Sequence, residues 1–332
     1  MSAGDGRNEY KGVLAAVLAA LLLGSAPILG KLAYSYGVSP LGLAASRTAI
    51  AALALWLAYG LFWRQFTFIF LVGLGECALA GAVNGIGSLF YYYGLTMLDA
   101  SLAQLLYTTY PLFVAVLLRM DGQHLSRLTA LRLLLTLLAV YLLATRGASP
   151  QALLMQGESS THLVGVGCLL LSAAFFGFHV VFSQRALYDM PAPTVTLYSL
   201  SAMAVTVVVA WSVSALFGIQ ALVGNDIWAL PPLGGILATL GLALFTALSR
   251  LTLFVGVKRL GGVQTTLLSV GELMVALILA LLLLGEQLTP WQWLGAGLLV
   301  LTQLLISREH LTVPMRRPRI DITPPVESMT DR

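Results

Sequence analysis

Residues Leu267–Thr289 read LLSVGELMVALILALLLLGEQLT, a run of 23 residues with two ionisable side chains, Glu272 near its first third and Glu286 at its end. A hydrocarbon layer takes about 20 residues of apolar helix to cross, so this run is long enough. Its apolar residues are continuous rather than alternating, which selects a helix over a barrel strand. The pattern recurs along the chain near residues 11–34, 40–63, 67–93, 101–119, 127–145, 163–186, 193–217, 231–256, 262–284 and 290–307. Composition agrees: 58% of residues are hydrophobic and 10% charged, against about 25% charged in soluble domains. The mean hydropathy is +0.89. The expected fold class is all-α and integral to a membrane, with ten transmembrane helices.

The placement of charge predicts orientation. With the N-terminus inside, the inner segments hold Arg7, Lys11, Arg64, Arg119, Arg127, Arg132, Arg185, Lys258, Arg259 and Arg308, while the outer loops hold only Arg146. Cytoplasmic loops carry the excess of Lys and Arg, so both termini are expected in the cytoplasm. Topology accounts for the net charge of +4, and no nucleic-acid partner is needed to explain it. MSAGDGRNEYK runs into the first apolar segment without a cleavage signal, as a retained helix does. Cys77 and Cys168 lie in apolar runs and carry no information about redox compartment.

The chain resembles itself. The spacing of Gly24 and Pro40 recurs between Gly177 and Pro193, YGLTMLDASLAQLL corresponds to VGVKRLGGVQTTLL, and GQHLS at Gly122 corresponds to GEQLT at Gly285. The expected division is a tail 1–10, a five-helix repeat 11–145, an extracytoplasmic loop 146–162, a second repeat 163–307, and a Pro-rich, charged and disordered tail 308–332. Five helices per half is odd, so the second half enters from the opposite side. Inverted repeats of this kind place a substrate near the midplane of secondary transporters.

These features resemble the drug/metabolite transporter superfamily, in its proteins with two EamA-type domains. The residues carrying the likeness are GSAPILGK with Arg47, YPLFVAVL at Tyr110, and GELMVALILALLLLGEQLTPWQWLGAGLLVL. The resemblance implies transport of amino acids or other small metabolites, often outward, with nucleotide-sugar exchange and drug-like cargo among the alternatives. Two positions depart from the family pattern: Gln123 stands where a Glu usually follows the Gly, and Leu273 stands where Pro commonly follows Glu272.

Ionisable residues at membrane depth cost about 2.5–3.5 kcal/mol on insertion scales and need a partner or a wet cavity. Arg47 lies on a strip with Pro40, Ala44, Ala51 and Ala54, which fits an ion pair between helices as well as a substrate carboxylate or phosphate. Glu272 shares a face with Thr265, Ser269 and Ala276 and is expected on the transport pathway. Glu286 reaches water before a capping box formed by Thr289, Pro290 and Gln292, and its expected part is to shape that turn. Arg250, two turns from Lys258, reads as a snorkelling residue, and Glu76 as a solvated or ion-paired carboxylate. Asn84, within GAVNG, reads as a residue joining packed helices.

The expected cavity is bounded by the first, second, fourth, sixth, seventh and ninth helices. Its candidate residues are Arg47, Glu272, Ser25, Pro27, Gln104, Tyr107, Thr108, Tyr110, His179, Tyr198 and Ser269, with Glu272 and His179 as candidates for proton coupling. Phe90, Tyr91, Tyr92, Tyr93, Tyr107 and Tyr110 read mainly as an interfacial belt. Four scattered histidines, no HExxH and no GxSG argue against an enzyme and against a metal site or cofactor. No filter sequence or ring of charge favours a channel. The expected partners are a small-molecule substrate and the lipid of a cell membrane, with monomer and homodimer both open.

Overall fold

The computed structural model describes residues 14, 17–120, 122, 127–145, 159–219, 231–260 and 262–306. Ten helical segments follow one another: α1 (Val17–Ser35), α2 (Pro40–Phe62), α3 (Leu71–Met97), α4 (Ala100–Met120), α5 (Arg127–Thr145), α6 (Ser159–Asp189), α7 (Ala192–Leu216), α8 (Leu233–Leu260), α9 (Gly262–Leu283) and α10 (Pro290–Ile306). Among the described residues, eight helices have the length and apolarity to cross a membrane. The two short of that measure are α9, apolar over Val270–Leu283, and α10, with 17 residues.

Local chemistry sets the ends. Ser39 caps α2 by accepting from the Gly42 N–H at 3.2 Å, with Pro40 in the first turn where its missing N–H costs nothing. The expected capping box opens α10: the Thr289 N–H donates to Gln292 Oε1 at 2.9 Å and the Gln292 N–H to Thr289 Oγ1 at 3.3 Å. At the end of α9, Gly285 takes φ +65°, and the Glu286 N–H turns back to the Ala280 carbonyl at 3.2 Å. A left-handed glycine just past the last turn is a common helix stop.

Two helices are interrupted by proline. In α1 a turn at Ser25 precedes a fresh helical start at Ala26, with Pro27 in its first turn and Ser25 Oγ donating to the Leu22 carbonyl at 2.9 Å. In α4 the break falls at Thr108 and Thr109, just before Pro111. Proline withholds a donor from the carbonyl four residues back, which loosens the ladder there.

The third apolar run is displaced from its expected place. Arg64–Phe66 forms a single 3-10 turn, and α3 begins at Leu71 rather than near residue 67. The reason lies in α7, whose Thr194 Oγ1 donates to the Phe66 carbonyl at 2.9 Å and whose Tyr198 hydroxyl donates to the Thr67 carbonyl at 2.7 Å. Side chains from another helix satisfy these carbonyls, so an apolar stretch remains a connection.

The packing follows a two-fold pattern. Helix α3 lies along α6 and α7, and α8 lies correspondingly along α1 and α2, while α2–α7, α4–α9 and α5–α10 meet their own counterparts. Exchanging each helix with the one five places along maps this set of contacts onto itself. Outward stripes such as Leu53, Leu57 and Leu61 on α2 and Val205 and Val209 on α7 stay exposed at helical spacing, as a lipid-facing surface does.

Close approach of backbones rests on small residues. An added Cβ at Gly81 would strike the Ser199 carbonyl of α7, and one at Gly85 would lie 2.9 Å from Thr206 Cβ. This Gly-xxx-Gly pair lets α3 sit directly on α7. The Gly81→Ala substitution is expected to destabilise the protein by about 1–3 kcal/mol through overpacking. Gly60→Ala, where the new Cβ meets nothing within 4 Å, is expected to leave stability unchanged or raise it by up to about 1 kcal/mol. Thermal unfolding in detergent distinguishes the two.

Candidate functional site

A cavity of about 400 Å³ lies between the two half-chains. Every helix except α5 and α10 contributes to its wall, so α3 and α8 join the six helices expected from sequence. A second cavity of about 200 Å³ shares Asn84, His179, Ser183, Leu187, Met203 and Arg250 with it and continues along Ala192, Thr196 and Ser199 at the start of α7. The pair therefore leads toward the α6–α7 connection, where Leu187 is 43% exposed.

Arg47 of α2 stands in the cavity wall and is held by neutral groups. Its Nη2 donates to Ser88 Oγ at 3.3 Å, its Nη1 reaches Thr246 Oγ1 at 3.5 Å, and the guanidinium lies 4.9 Å from the centre of the Tyr92 ring. Its Nε is buried without a hydrogen-bond partner. Among the described residues it forms no salt bridge, so the expected alternative of an ion pair between helices is not the arrangement found.

Glu272 faces it from α9. Its Oε1 accepts from Gln104 Nε2 at 2.8 Å, and Gln104 Oε1 in turn accepts from the Tyr91 hydroxyl at 3.3 Å. The carboxylate is thus oriented by an amide rather than by a cation. Gly24 makes the placement possible: a Cβ there would lie 2.6 Å from the Glu272 carbonyl oxygen, so α1 rests directly against the α9 backbone at this residue.

His179 of α6 approaches the Ala80 carbonyl through Nδ1 at 3.0 Å. A carbonyl only accepts, so Nδ1 carries the proton in that contact, and the Ser183 hydroxyl lies 3.4 Å from the same nitrogen. Tyr91, Tyr107, Phe176 and Tyr110 form a continuous run of ring contacts with centroids 4.9–5.1 Å apart. Tyr91 and Tyr92, read from sequence as interfacial, line the cavity together with the expected Tyr107 and Tyr110.

The expected site residues divide cleanly. Arg47, Gln104, Tyr107, Thr108, Tyr110, His179 and Glu272 come together in one wall. Ser25 and Pro27 do not line it; their break instead presents the neighbouring Leu23 and Ala26. Tyr198 is held away, bonded to Thr67 and packed edge-on against Trp56 at 5.5 Å. The Ser269 side chain lies outside the described residues. Residues not expected there are Ser88, Phe176 and Arg250, and Asn84 both lines the cavity and donates to Met203 Sδ at 3.4 Å. Among the described residues no three His, Cys, Asp or Glu side chains gather as a metal site would require.

Away from the cavity lining, Glu286 does more than shape a turn. Its Oε1 accepts from the Ala100 N–H at 2.7 Å, and its Oε2 accepts from the Ser101 N–H at 2.9 Å and Ser101 Oγ at 2.6 Å. A carboxylate of the second half thereby caps the first turn of α4 in the first half, where the local N-cap residue, Asp99, makes no side-chain cap. The Tyr34 hydroxyl adds a tie from α1 to the Tyr92 carbonyl of α3 at 2.8 Å.

An all-helical membrane protein with a cavity between two related halves, lined by aromatic rings and a few charged side chains, has the build of a solute carrier. The sequence model of the EamA-like transporter family matches residues 10–145 and 163–308, and the chain belongs to that family. Its members are membrane transporters of the drug/metabolite type. Sixteen chains of solved structures match it. One is a crystal structure with 19% identity and a TM-score of 0.57, covering 90% of this chain and 97% of that one. At that identity the likeness speaks for the fold. No curated protein matches the chain.

Because Glu286 holds three donors with one charge, Glu286→Gln is expected to weaken the closure by about 1.5–3 kcal/mol. In a background lacking Cys77 and Cys168, a thiol introduced by Leu23→Cys on the cavity wall should then react about tenfold faster with a membrane-impermeant maleimide applied from the face carrying the α3–α4 turn. An unchanged rate would show that Glu286 does not hold this end shut.

Proposed function

We propose that this protein is a secondary active transporter with ten membrane-spanning helices, which exports a small polar metabolite such as an amino acid by alternating access. In this reading both termini lie in the cytoplasm of a cell-membrane protein, so the α6–α7 end of the cavity faces inward. The single observation that carries it is Arg47, a guanidinium in the wall of a cavity of metabolite size whose hydrogen bonds go to the neutral hydroxyls of Ser88 and Thr246. A substrate carboxylate supplies the missing counter-charge, and Glu272 in the same wall receives an ammonium group.

The Glu286 contact with α4 supports a transport cycle. With Glu286 seated on α4, substrate enters from the α6–α7 side. Rocking of one half against the other separates Glu286 from Ala100 and Ser101 and closes the opposite end around substrate. Proton coupling is assigned to Glu272, with His179 as the second titratable group in the wall.

Counterflow in proteoliposomes tests this reading. With a pool of small metabolites, the wild type is expected to exchange at least one carboxylate-bearing solute saturably. Arg47→Gln should raise its half-saturation concentration at least about tenfold, the worth of one charged hydrogen bond. Arg47→Lys should not restore it, because an ammonium cannot reach Ser88 and Thr246 while lying on the Tyr92 face. Wild-type kinetics in both variants would sink the assignment. For coupling, Glu272→Gln is expected to abolish the stimulation of transport by a pH gradient; a preserved stimulation would remove Glu272 from that part.

A further inference from the structure

We propose that the cavity binds two acidic groups of one substrate, the first at Arg47 and the second at Arg250, so that the cargo is a dicarboxylic metabolite of net negative charge. A dicarboxylic amino acid is the form that also satisfies Glu272. The proposal rests on the carrier reading above and narrows its substrate class.

Arg250 is the residue that the reading leaves without work. It stands on α8 one helical turn beyond Thr246, whose Oγ1 is the partner of Arg47 Nη1, so both guanidiniums border the same stretch of wall. It lines both cavities and lies within electrostatic range of Arg47, Glu272 and Tyr107. Among the described residues it makes no hydrogen bond and no salt bridge. Residues 253–269, which follow it in sequence, contain no Asp or Glu. Glu272 is thus the one carboxylate in the lining of either cavity, and it is already oriented by Gln104.

The balance of charge then selects the ligand. Two guanidiniums and one carboxylate leave a surplus of one positive charge in a site walled by aromatic rings, and a buried cation without a counter-charge is strongly unfavourable. A zwitterion with one carboxylate and one ammonium leaves that surplus in place. A solute with two carboxylates and one ammonium removes it, placing each group opposite a side chain of the other sign. A cavity of about 400 Å³ accommodates such a solute.

Glutamate and glutamine differ only in the second acidic group, which makes them the probes. In wild-type proteoliposomes, L-glutamate is expected to compete for counterflow at least about tenfold better than L-glutamine, the effect of one charged contact. Arg250→Gln should lower that ratio at least about tenfold, and Arg250→Lys should recover part of it. Competition in the wild type needs no variant to fold and decides the proposal alone: glutamine equal to or better than glutamate overturns it while leaving the carrier reading intact. A ratio unchanged in Arg250→Gln also overturns it. Stronger competition by glucose 6-phosphate than by glutamate would replace two separate carboxylates with one phosphate and overturn the dicarboxylate assignment. Absence of counterflow for every carboxylate in the pool would overturn the carrier reading, and this proposal with it.

Discussion

The carboxylate of Glu286 ties the second half of the chain to the first at the start of α4. It sits where the chain needs it because Gly285 adopts a left-handed conformation, ends α9 and turns the next residue back across the bundle. There it meets the first N–H groups of α4, which no residue of their own half caps through a side chain. A helix start at the edge of a lipid layer leaves donors that water reaches poorly, so the demand for an acceptor is strong. The Gly-Glu pair is therefore one device: the glycine supplies the turn, and the glutamate spends the turn on the other half.

The repeat makes that device reciprocal in principle, and the residues make it unequal. Gly122 also takes a positive φ, of +85°, at the end of α4, which is the position equivalent to Gly285. The residue after it is Gln123, whose neutral amide offers a weaker acceptor than a carboxylate. The two Gly-led chain reversals are thus alike in backbone and unlike in the residue that follows, a carboxylate in the second half and a neutral amide in the first.

Much of this was legible in the sequence, because it depends on run length and on spacing. Continuous apolar runs located nearly every helix, and the Thr289–Gln292 capping box was readable from residue types three apart. What escaped was whatever depends on a partner far along the chain. Nothing near Glu286 reveals that its acceptor atoms meet donors at Ala100 and Ser101. Arg250 read as a snorkelling residue because Lys258 lies two turns beyond it, yet Thr246 on its own face was a polar signal that the face turns inward. Tyr91 and Tyr92 read as a belt because aromatic residues cluster at interfaces, although the glycines around them mark α3 as a helix packed on several sides. Tyr198 sits at the right depth for the cavity and was drawn away by a carbonyl in a connection that hydrophobicity alone marks as helix.

Glycine and charge also act together in the site. Arg47 and Glu272 project from α2 and α9, and the place of Glu272 depends on how closely α1 lies against α9 at Gly24. Any residue larger than glycine there displaces the Glu272 backbone, and with it the carboxylate that Gln104 orients. The neutral ties on both charges, Ser88 and Thr246 for Arg47 and Gln104 for Glu272, hold each side chain in position without cancelling it. Direct pairing of the two would have been the cheaper way to bury them. Keeping them apart leaves two uncancelled charges of opposite sign in a low-dielectric pocket, and in the proposed carrier those charges are what draw a charged solute from water.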